Sequence, residues 1–268
     1  MPRASLAMYD MLAPVQAAND LLWAGVRDRL RVAGIAAPDG LDRTISYHDI
    51  WLEPDLLLAQ ACGYPFVRQL QGKVRLVATP VYSFAGGRGT ERTSFVVVRD
   101  TDAGEDLQAF RGRRVAINDP MSNSGMNLLR AAMAPLAGGK AYFSEVVVTG
   151  GHLPSIAAVR VGAADIAAID TVTWGLLERH APEMLSGLRI LAATPSGPGL
   201  PLITSLSTSD AALNVLRFAL ADAIADRDLA PATEALGLTG LEILDEEDYA
   251  RLSQLGDEAS RLGYPIIA

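Results

Sequence analysis

Apolar positions along this chain follow two rhythms that take turns. Short runs rich in Val, Ile and Leu at 4–9, 74–78, 94–99, 114–118, 143–148, 166–169 and 188–192 read as strands. Between them, apolar residues recur every three or four positions, the spacing of one helix face. At 14–33 the stripe is Leu22, Val26 and Leu30, with Pro14 in the first turn, where its missing N–H costs nothing. At 211–226 it is Leu213, Leu216, Leu220 and Ile224, and further helices are predicted at 127–133, 153–161, 172–180 and 246–262. The segment 44–50 alternates and is read as a strand. The apolar run 55–61 is stopped by Cys62-Gly63-Tyr64-Pro65, and 107–110 is read as a short helix closed by Gly112. Strands alternating with helices predict α/β layers around a largely parallel sheet, and the wholly apolar 166–169 suits a strand buried on both faces.

The pattern restarts near Asp102. The block 101–193 is a self-contained run of α/β units, flanked by connections at 96–100 and 193–201; the second holds the loop Pro195-Ser196-Gly197-Pro198-Gly199-Leu200-Pro201. A chain that leaves one lobe, builds a second and returns predicts a two-lobed clamshell. The expected division is 1–97 with 198–268 as one lobe and 98–197 as the other, with a hinge at the two connections and a ligand cleft between the lobes. The 268 residues suffice for two lobes with real cores.

Polar chemistry concentrates at three strand ends of the middle block. After 114–118 comes Asp119-Pro120-Met121-Ser122-Asn123-Ser124-Gly125-Met126-Asn127, a turn that runs into a helix. Ser122 and Ser124 offer hydroxyls, Asn123 an amide, and the helix start offers backbone N–H groups and about half a unit of positive charge, which together suit an oxyanion. After 143–148 comes Thr149-Gly150-Gly151-His152, and 166–169 ends in Asp170-Thr171. Gly125, Gly150 and Gly151 would let the backbone approach an anion closely. His152 can donate from a ring nitrogen, and Asp170 can orient or charge that ring, or accept a proton from a partly protonated ligand. Each group also has an ordinary use: Ser122, Ser124 and Asp170 as helix N-caps, His152 as a loop histidine. Serine, histidine and aspartate are the residues of a hydrolase triad too, but there is no Gly-x-Ser-x-Gly elbow, and a triad is defined by geometry.

Composition narrows the field. Half the residues are hydrophobic and 20% are charged, as in a globular protein. The net charge is −8 with no basic stripe, which argues against a nucleic-acid partner and means that an anion must be held by local dipoles against the overall field. The single cysteine, Cys62, excludes an intramolecular disulfide and reads as a buried apolar thiol. His48, His152 and His180 have no metal-ligand spacing, and no cofactor is expected. No apolar run approaches the roughly 18 residues of a membrane span. Gly86-Gly87-Arg88-Gly89 lacks the Gly-Lys-Ser/Thr ending of a P-loop and precedes a strand, so it reads as a hairpin or a crossover loop. The first ten residues lack the apolar stretch of a signal peptide; a mature chain, a cytoplasmic protein, or a leader lying upstream all fit that.

The stretches Asp119-Pro120-x-Ser122-x-Ser124-Gly125, Gly150-Gly151-His152-x-x-Ser155-Ile156-x-x-Val159-x-x-Gly162-x-Ala164-Asp165 and Ala168-Ile169-Asp170 resemble the phosphonate-binding (PhnD-like) family. These are substrate-binding proteins of ABC transporters for phosphate, phosphite and phosphonate. Pro54-Asp55-Leu56-Leu57-Leu58-Ala59-Gln60-x-Cys62-Gly63-Tyr64-Pro65 and Pro198-Gly199-Leu200-Pro201 are similar to segments of the same family. The resemblance implies a type II periplasmic-binding-protein fold, export to the periplasm, no catalysis, a small oxyanion as ligand and an ABC permease as partner. It implies head-group contacts from the turn Ser122, Asn123, Ser124 and Gly125 and from His152 and Asp170. Aromatic cover from the first lobe would come from Tyr9, with Tyr82 and Tyr47 as further candidates and Gln60 and Tyr64 at the border. Thr149-Gly150-Gly151-His152 departs from the Ser-Gly-Ser-His common in related sequences, and the loop 86–94 lacks the cysteine and tyrosine of the family. Both departures bear on the ligand, and the same fold could instead serve a sulfonate, a carboxylate or a heterocycle, as an orphan module or a cytoplasmic sensor.

Overall fold

A computed structural model describes residues 2–268. The chain begins with β1 (Arg3–Ser5), α1 (Ala13–Val32), α2 (Tyr47–Ile50), β2 (Leu56–Gln60), α3 (Gly63–Pro65) and β3 (Val74–Tyr82). Next come β4 (Gly87–Arg88), β5 (Glu91–Arg92), β6 (Ser94–Arg99), β7 (Arg114–Ile117), α4 (Leu128–Ala137), β8 (Glu145–Val148), α5 (His152–Arg160), β9 (Ile166–Asp170), α6 (Thr171–His180), β10 (Leu188–Ala193) and β11 (Gly197–Pro198). The chain ends with β12 (Leu202–Ser205), α7 (Asp210–Ala225), α8 (Ala230–Leu236), β13 (Leu238–Glu242) and α9 (Glu246–Arg261). Two units result: Met1–Ser83 with Gly199–Asp248, and Phe84–Pro198 with Tyr249–Ala268.

The first unit holds a five-stranded sheet in the order β1-β2-β12-β3-β13. Its helix α1 carries the predicted stripe inward: Val15, Leu22, Trp23, Val26 and Leu30 are all buried. Burying a side chain of this size is worth about 1.5–3 kcal/mol. No side chain caps the start of α1, where Pro14 occupies the first turn, and Arg29 and Arg31 sit in the last turn, where the helix dipole favours cations.

The second unit holds the sheet β10-β6-β9-β7-β8 and a short ladder, β11-β5-β4. β7 runs parallel to β8, Ile117 opposite Val148, and parallel to β9, Ala116 opposite Ala167. The connections pass through α4 and α5, as parallel pairing requires. The strand Ile166–Asp170, apolar up to its last residue, is buried at every position. One carboxylate braces the amino-terminal side of these strands. Asp165 accepts hydrogen bonds from the Arg114 backbone N–H at 3.0 Å, from the Arg114 guanidinium at 3.0 and 3.1 Å, and from Arg99 at 2.8 Å. Arg99 also donates to the carbonyls of Val159 and Ala164. Burial pushes the Asp165 carboxyl up, but the bonds from Arg114 and Arg99 outweigh it and hold the group well below the usual carboxylate range.

Several expectations change. The sheets are mixed rather than largely parallel: in the first only β1 and β2 run parallel, and in the second β6 and β10 run antiparallel to their neighbours. Antiparallel edge strands on a parallel centre are common in such sheets. The first strand stops at Ser5, so Tyr9 lies in a following 3₁₀ turn, Ala7–Tyr9, rather than at the strand end. The alternating segment 44–50 forms the short helix Tyr47–Ile50, because Ser46 caps it and accepts from the Asp49 N–H. The contact units place 84–97 and 249–268 with the second unit, where the sequence pattern had placed them in the first. Residues 86–92 form a two-stranded hairpin.

Asp165→Asn is expected to cost about 2–4 kcal/mol, because it leaves two guanidinium groups facing a neutral amide. A depressed carboxylate stabilises the fold above its unfolded value near pH 3.9, and that contribution fades as pH falls below about 4. Thermal melts between pH 7 and pH 2.5 should show a steeper acid loss for the native chain than for the variant; parallel curves would refute the assignment.

Candidate functional site

The site begins where β7 ends. Asn118 Oδ1 accepts from the Asp119 N–H at 3.0 Å, Asp119 Oδ1 accepts from the Met121 N–H at 2.6 Å, and the Asp119 carbonyl accepts from the Ser122 N–H at 3.0 Å. These local bonds fold the chain sharply at Pro120. Ser122 then caps the helix, its Oγ accepting from the Gly125 N–H at 3.0 Å. The first turn, Asn123–Asn127, is a π-turn in which the Asn127 N–H bonds the Ser122 carbonyl five residues back. Single π-turns of this kind recur at functional sites.

The parallel register brings the second strand end alongside. His152 is the first residue of α5, and its Nε2 lies 2.9 Å from Ser124 Oγ. Part of the residue reaches the surface, but Nδ1 is enclosed and makes no hydrogen bond. Burial pushes the ring below its ordinary pKa, while the Asp170 carboxylate and the Ala168 carbonyl pull the other way and do not prevail. The ring is therefore neutral near pH 7. At the third strand end, Asp170 caps α6, with Oδ1 accepting from the Val172 and Thr173 N–H groups at 2.8 and 2.9 Å.

Thus Ser124 and His152 are in contact, and Asp170 acts on the ring through its charge. The three do not form a catalytic relay. In a triad the carboxylate bonds Nδ1 of the histidine, whereas here Asp170 bonds the start of α6. Each glycine also has a local packing or backbone setting. A Cβ on Gly125 would stand 1.9 Å from Asn118 Oδ1, so the position is small to pack against Asn118. Gly150 takes φ +87°, a left-handed turn, and Gly151 is ordinary extended backbone. Thr149 Oγ1 is occupied by the carbonyls of Ile117 and Gly151 and by Ser155 Oγ.

In the first unit, Tyr9 meets Tyr82 edge-on with ring centroids 5.7 Å apart, and Gln60 Nε2 donates to the Tyr82 hydroxyl at 3.3 Å. Tyr47 packs at a tilt against His48 and Trp51, and Tyr64 lies under the Arg68 guanidinium. Sequence reasoning passed over Asn118 and Asn127. No local signal marked them: an asparagine at 127, at the head of a helix run, reads as an ordinary N-cap. Cys62 is buried and forms no disulfide. Among the described residues no cluster of His, Cys, Asp and Glu could hold a metal ion, and no helix is long and apolar enough to cross a membrane.

A family model described as the periplasmic phosphonate substrate-binding protein of an ABC transporter matches residues 53–249. No curated protein sequence matches the chain. Among solved structures, the binding-protein component of an ABC phosphonate transporter from Pseudomonas aeruginosa superposes with a TM-score of 0.78, at 17% identity over 97% of this chain and 87% of that one. PhnD1 from Prochlorococcus marinus in complex with methylphosphonate gives 0.78, at 15% identity over 97% and 98%. A Xanthomonas citri protein bound to chloride gives 0.73, at 18% identity over 98% of each chain. At these identities the likeness speaks for the fold, that of the two-lobed periplasmic binding proteins.

A ring held neutral by burial should titrate below the free-histidine value near 6.5. Carbon-detected or proton NMR of the His152 ring in the unliganded protein measures this directly; a titration above 6.5 would show that Asp170 dominates instead.

Proposed function

The chain belongs to the periplasmic phosphonate substrate-binding proteins of ABC transporters, and on that footing we propose that its second unit captures a small tetrahedral oxyanion, a phosphonate, phosphite or phosphate, and delivers it unchanged to a permease. The observation that carries this reading is the contact of Ser124 with His152 at the start of a capped helix. Hydroxyls of Ser122 and Ser124, the amide of Asn123, and the N–H groups of the helix start are donors to an anion. Asp170 supplies an acceptor for a ligand oxygen that keeps its proton. Each charge-assisted hydrogen bond contributes about 1.5–3 kcal/mol.

The neutral ring makes binding a proton-linked event. An anion beside His152 adds its negative charge to that of Asp170 and so raises the ring's pKa from its depressed value. Protonated, the ring donates from both nitrogens. Ligand capture therefore takes up a proton in the pH window between the free and the bound pKa, and affinity gains as pH falls through that window.

Calorimetry with phosphate, phosphite, methylphosphonate and 2-aminoethylphosphonate tests the reading, with sulfonates and carboxylates as the competing ligand classes. Ser124→Ala should weaken binding about ten- to a hundredfold. Folded protein that gives flat titrations with all four phosphorus oxyanions would sink the proposal. Titrations at pH 6.5 in buffers of different ionisation enthalpy should reveal proton uptake that shrinks in His152→Gln. Equal uptake in both would assign it to the ligand alone.

A further inference from the structure

The two serines of the turn are engaged in opposite senses. Ser122 Oγ accepts from the Gly125 N–H at 3.0 Å and keeps its own proton to give. The contact of Ser124 Oγ with His152 Nε2, at 2.9 Å, can run either way, because a hydroxyl donates and accepts while each nitrogen of a neutral imidazole does only one of these. Its direction depends on which nitrogen carries the single proton of the ring. Nδ1 is enclosed, and no hydrogen-bond donor reaches it. The other polar groups that act on the ring come from β9: the Ala168 carbonyl, an acceptor, and the Asp170 carboxylate, a negative charge. A lone pair at Nδ1 would be buried without a donor in the field of these two groups, and the same field favours a proton there. Nε2 then holds the lone pair, and the Ser124 hydroxyl donates to it. What Ser124 has left for a third group is an oxygen lone pair.

Resting on the reading of the turn as an oxyanion site, we infer that Ser124 is a specificity-determining residue: its proton is committed to His152, so it presents an acceptor and selects a tetrahedral anion that keeps one acidic O–H over one that is fully ionised. A phosphorus oxyanion near neutral pH can carry such a proton. Its P–OH donates to Ser124 Oγ, which donates to Nε2, and hydrogen bonds running in one sense reinforce each other. A sulfonate has no proton to give. Its oxygen would meet the Ser124 lone pair, or would draw the hydroxyl away from His152 and leave Nε2 unpaired. A ring that takes up a proton reverses the contact: Nε2–H donates to Ser124 Oγ and the hydroxyl is released to donate to a ligand without a proton of its own. Either form holds one proton more than a bare dianion beside a neutral ring. For a sulfonate only the second form is open, and at pH 7 it is reached against the burial that keeps the ring neutral.

Methylphosphonate and methanesulfonate share a shape and differ in that proton. In calorimetry on the full chain at pH 7, methylphosphonate should bind about tenfold or more tightly than methanesulfonate, since a site built to bond a ligand hydroxyl rejects the analogue that lacks it. Ser124→Ala should weaken methylphosphonate more than methanesulfonate and narrow that gap. A gap unchanged in the variant, with melting temperatures confirming folded protein, would overturn the inference while leaving the oxyanion reading intact. So would native protein that binds methanesulfonate as tightly as methylphosphonate. If the native chain binds none of the four phosphorus oxyanions, the oxyanion reading fails and the specificity role falls with it. A measurement on the unaltered, unliganded protein guards against a variant that does not fold. Nitrogen NMR of the His152 ring at pH 7 should show Nδ1 protonated and Nε2 bare, and the opposite tautomer would refute the direction of the Ser124 bond.

Discussion

The chemistry of the second unit depends on one constraint, the parallel register of β7 with β8 on one side and β9 on the other. Parallel strands end on the same side, and each end must be followed by a turn and a helix. Three helix starts, whose first N–H groups have no carbonyl partner within the helix, are thereby gathered at one margin of the sheet. Ser124 and His152, 28 residues apart in sequence, meet at 2.9 Å only because of this register. A slip by one residue would turn every side chain of β7 to the other face and carry the turn with it. The Asp165 cluster opposes such a slip. Its bonds to the Arg114 N–H and to both guanidinium groups pin β6, β7 and β9 at the margin opposite the site, so the brace lies where it cannot interfere with a ligand.

Within that frame, burial and charge are balanced unevenly among the polar groups. Asp170 is nearly enclosed, and an enclosed carboxylate must be compensated. Its compensation comes from the start of α6, through two N–H groups and the helix dipole. At His152, burial lowers the ring's pKa more than the charge of Asp170 raises it. On the proposed reading, hydroxyls and helix-start N–H groups would hold an anion in a chain of net charge −8, with local dipoles supplying the attraction and the imidazole gaining charge as the anion raises its pKa.

The element order of the second unit was readable because its strands are short apolar runs and its helices keep strict periodicity; 166–169 and 94–99 needed nothing beyond pattern. The serine turn was readable for a similar reason, since Ser122, Ser124 and Gly125 sit between a strand and a helix, where capping and anion binding use the same residues. What escaped was settled by distant partners. Nothing local says that 249–268 packs with the second unit, because an amphipathic helix shows which face is buried but not against what. The segment 44–50 alternates like a strand, yet a single cap at Ser46 makes a helix of it. The resemblance named Asn123 but could not reach Asn127, whose buried bond to the Leu252 carbonyl spans 125 residues of sequence.

That omission matters because of what stands at 151. Where related sequences often place a serine before the histidine, this chain has Gly151, and the neighbouring Thr149 hydroxyl is already engaged by Ile117, Gly151 and Ser155. The second strand end therefore presents His152 with no hydroxyl of its own at 151. On the proposed reading, the side-chain donors of this unit are then concentrated on the first strand end, at Ser122, Ser124 and Asn123, and the ring at 152 meets a hydroxyl only across the register, through Ser124. The buried bonds of Asn127 and Arg130 to the Leu252 and Pro265 carbonyls tie the helix that carries this turn to the carboxy-terminal segment.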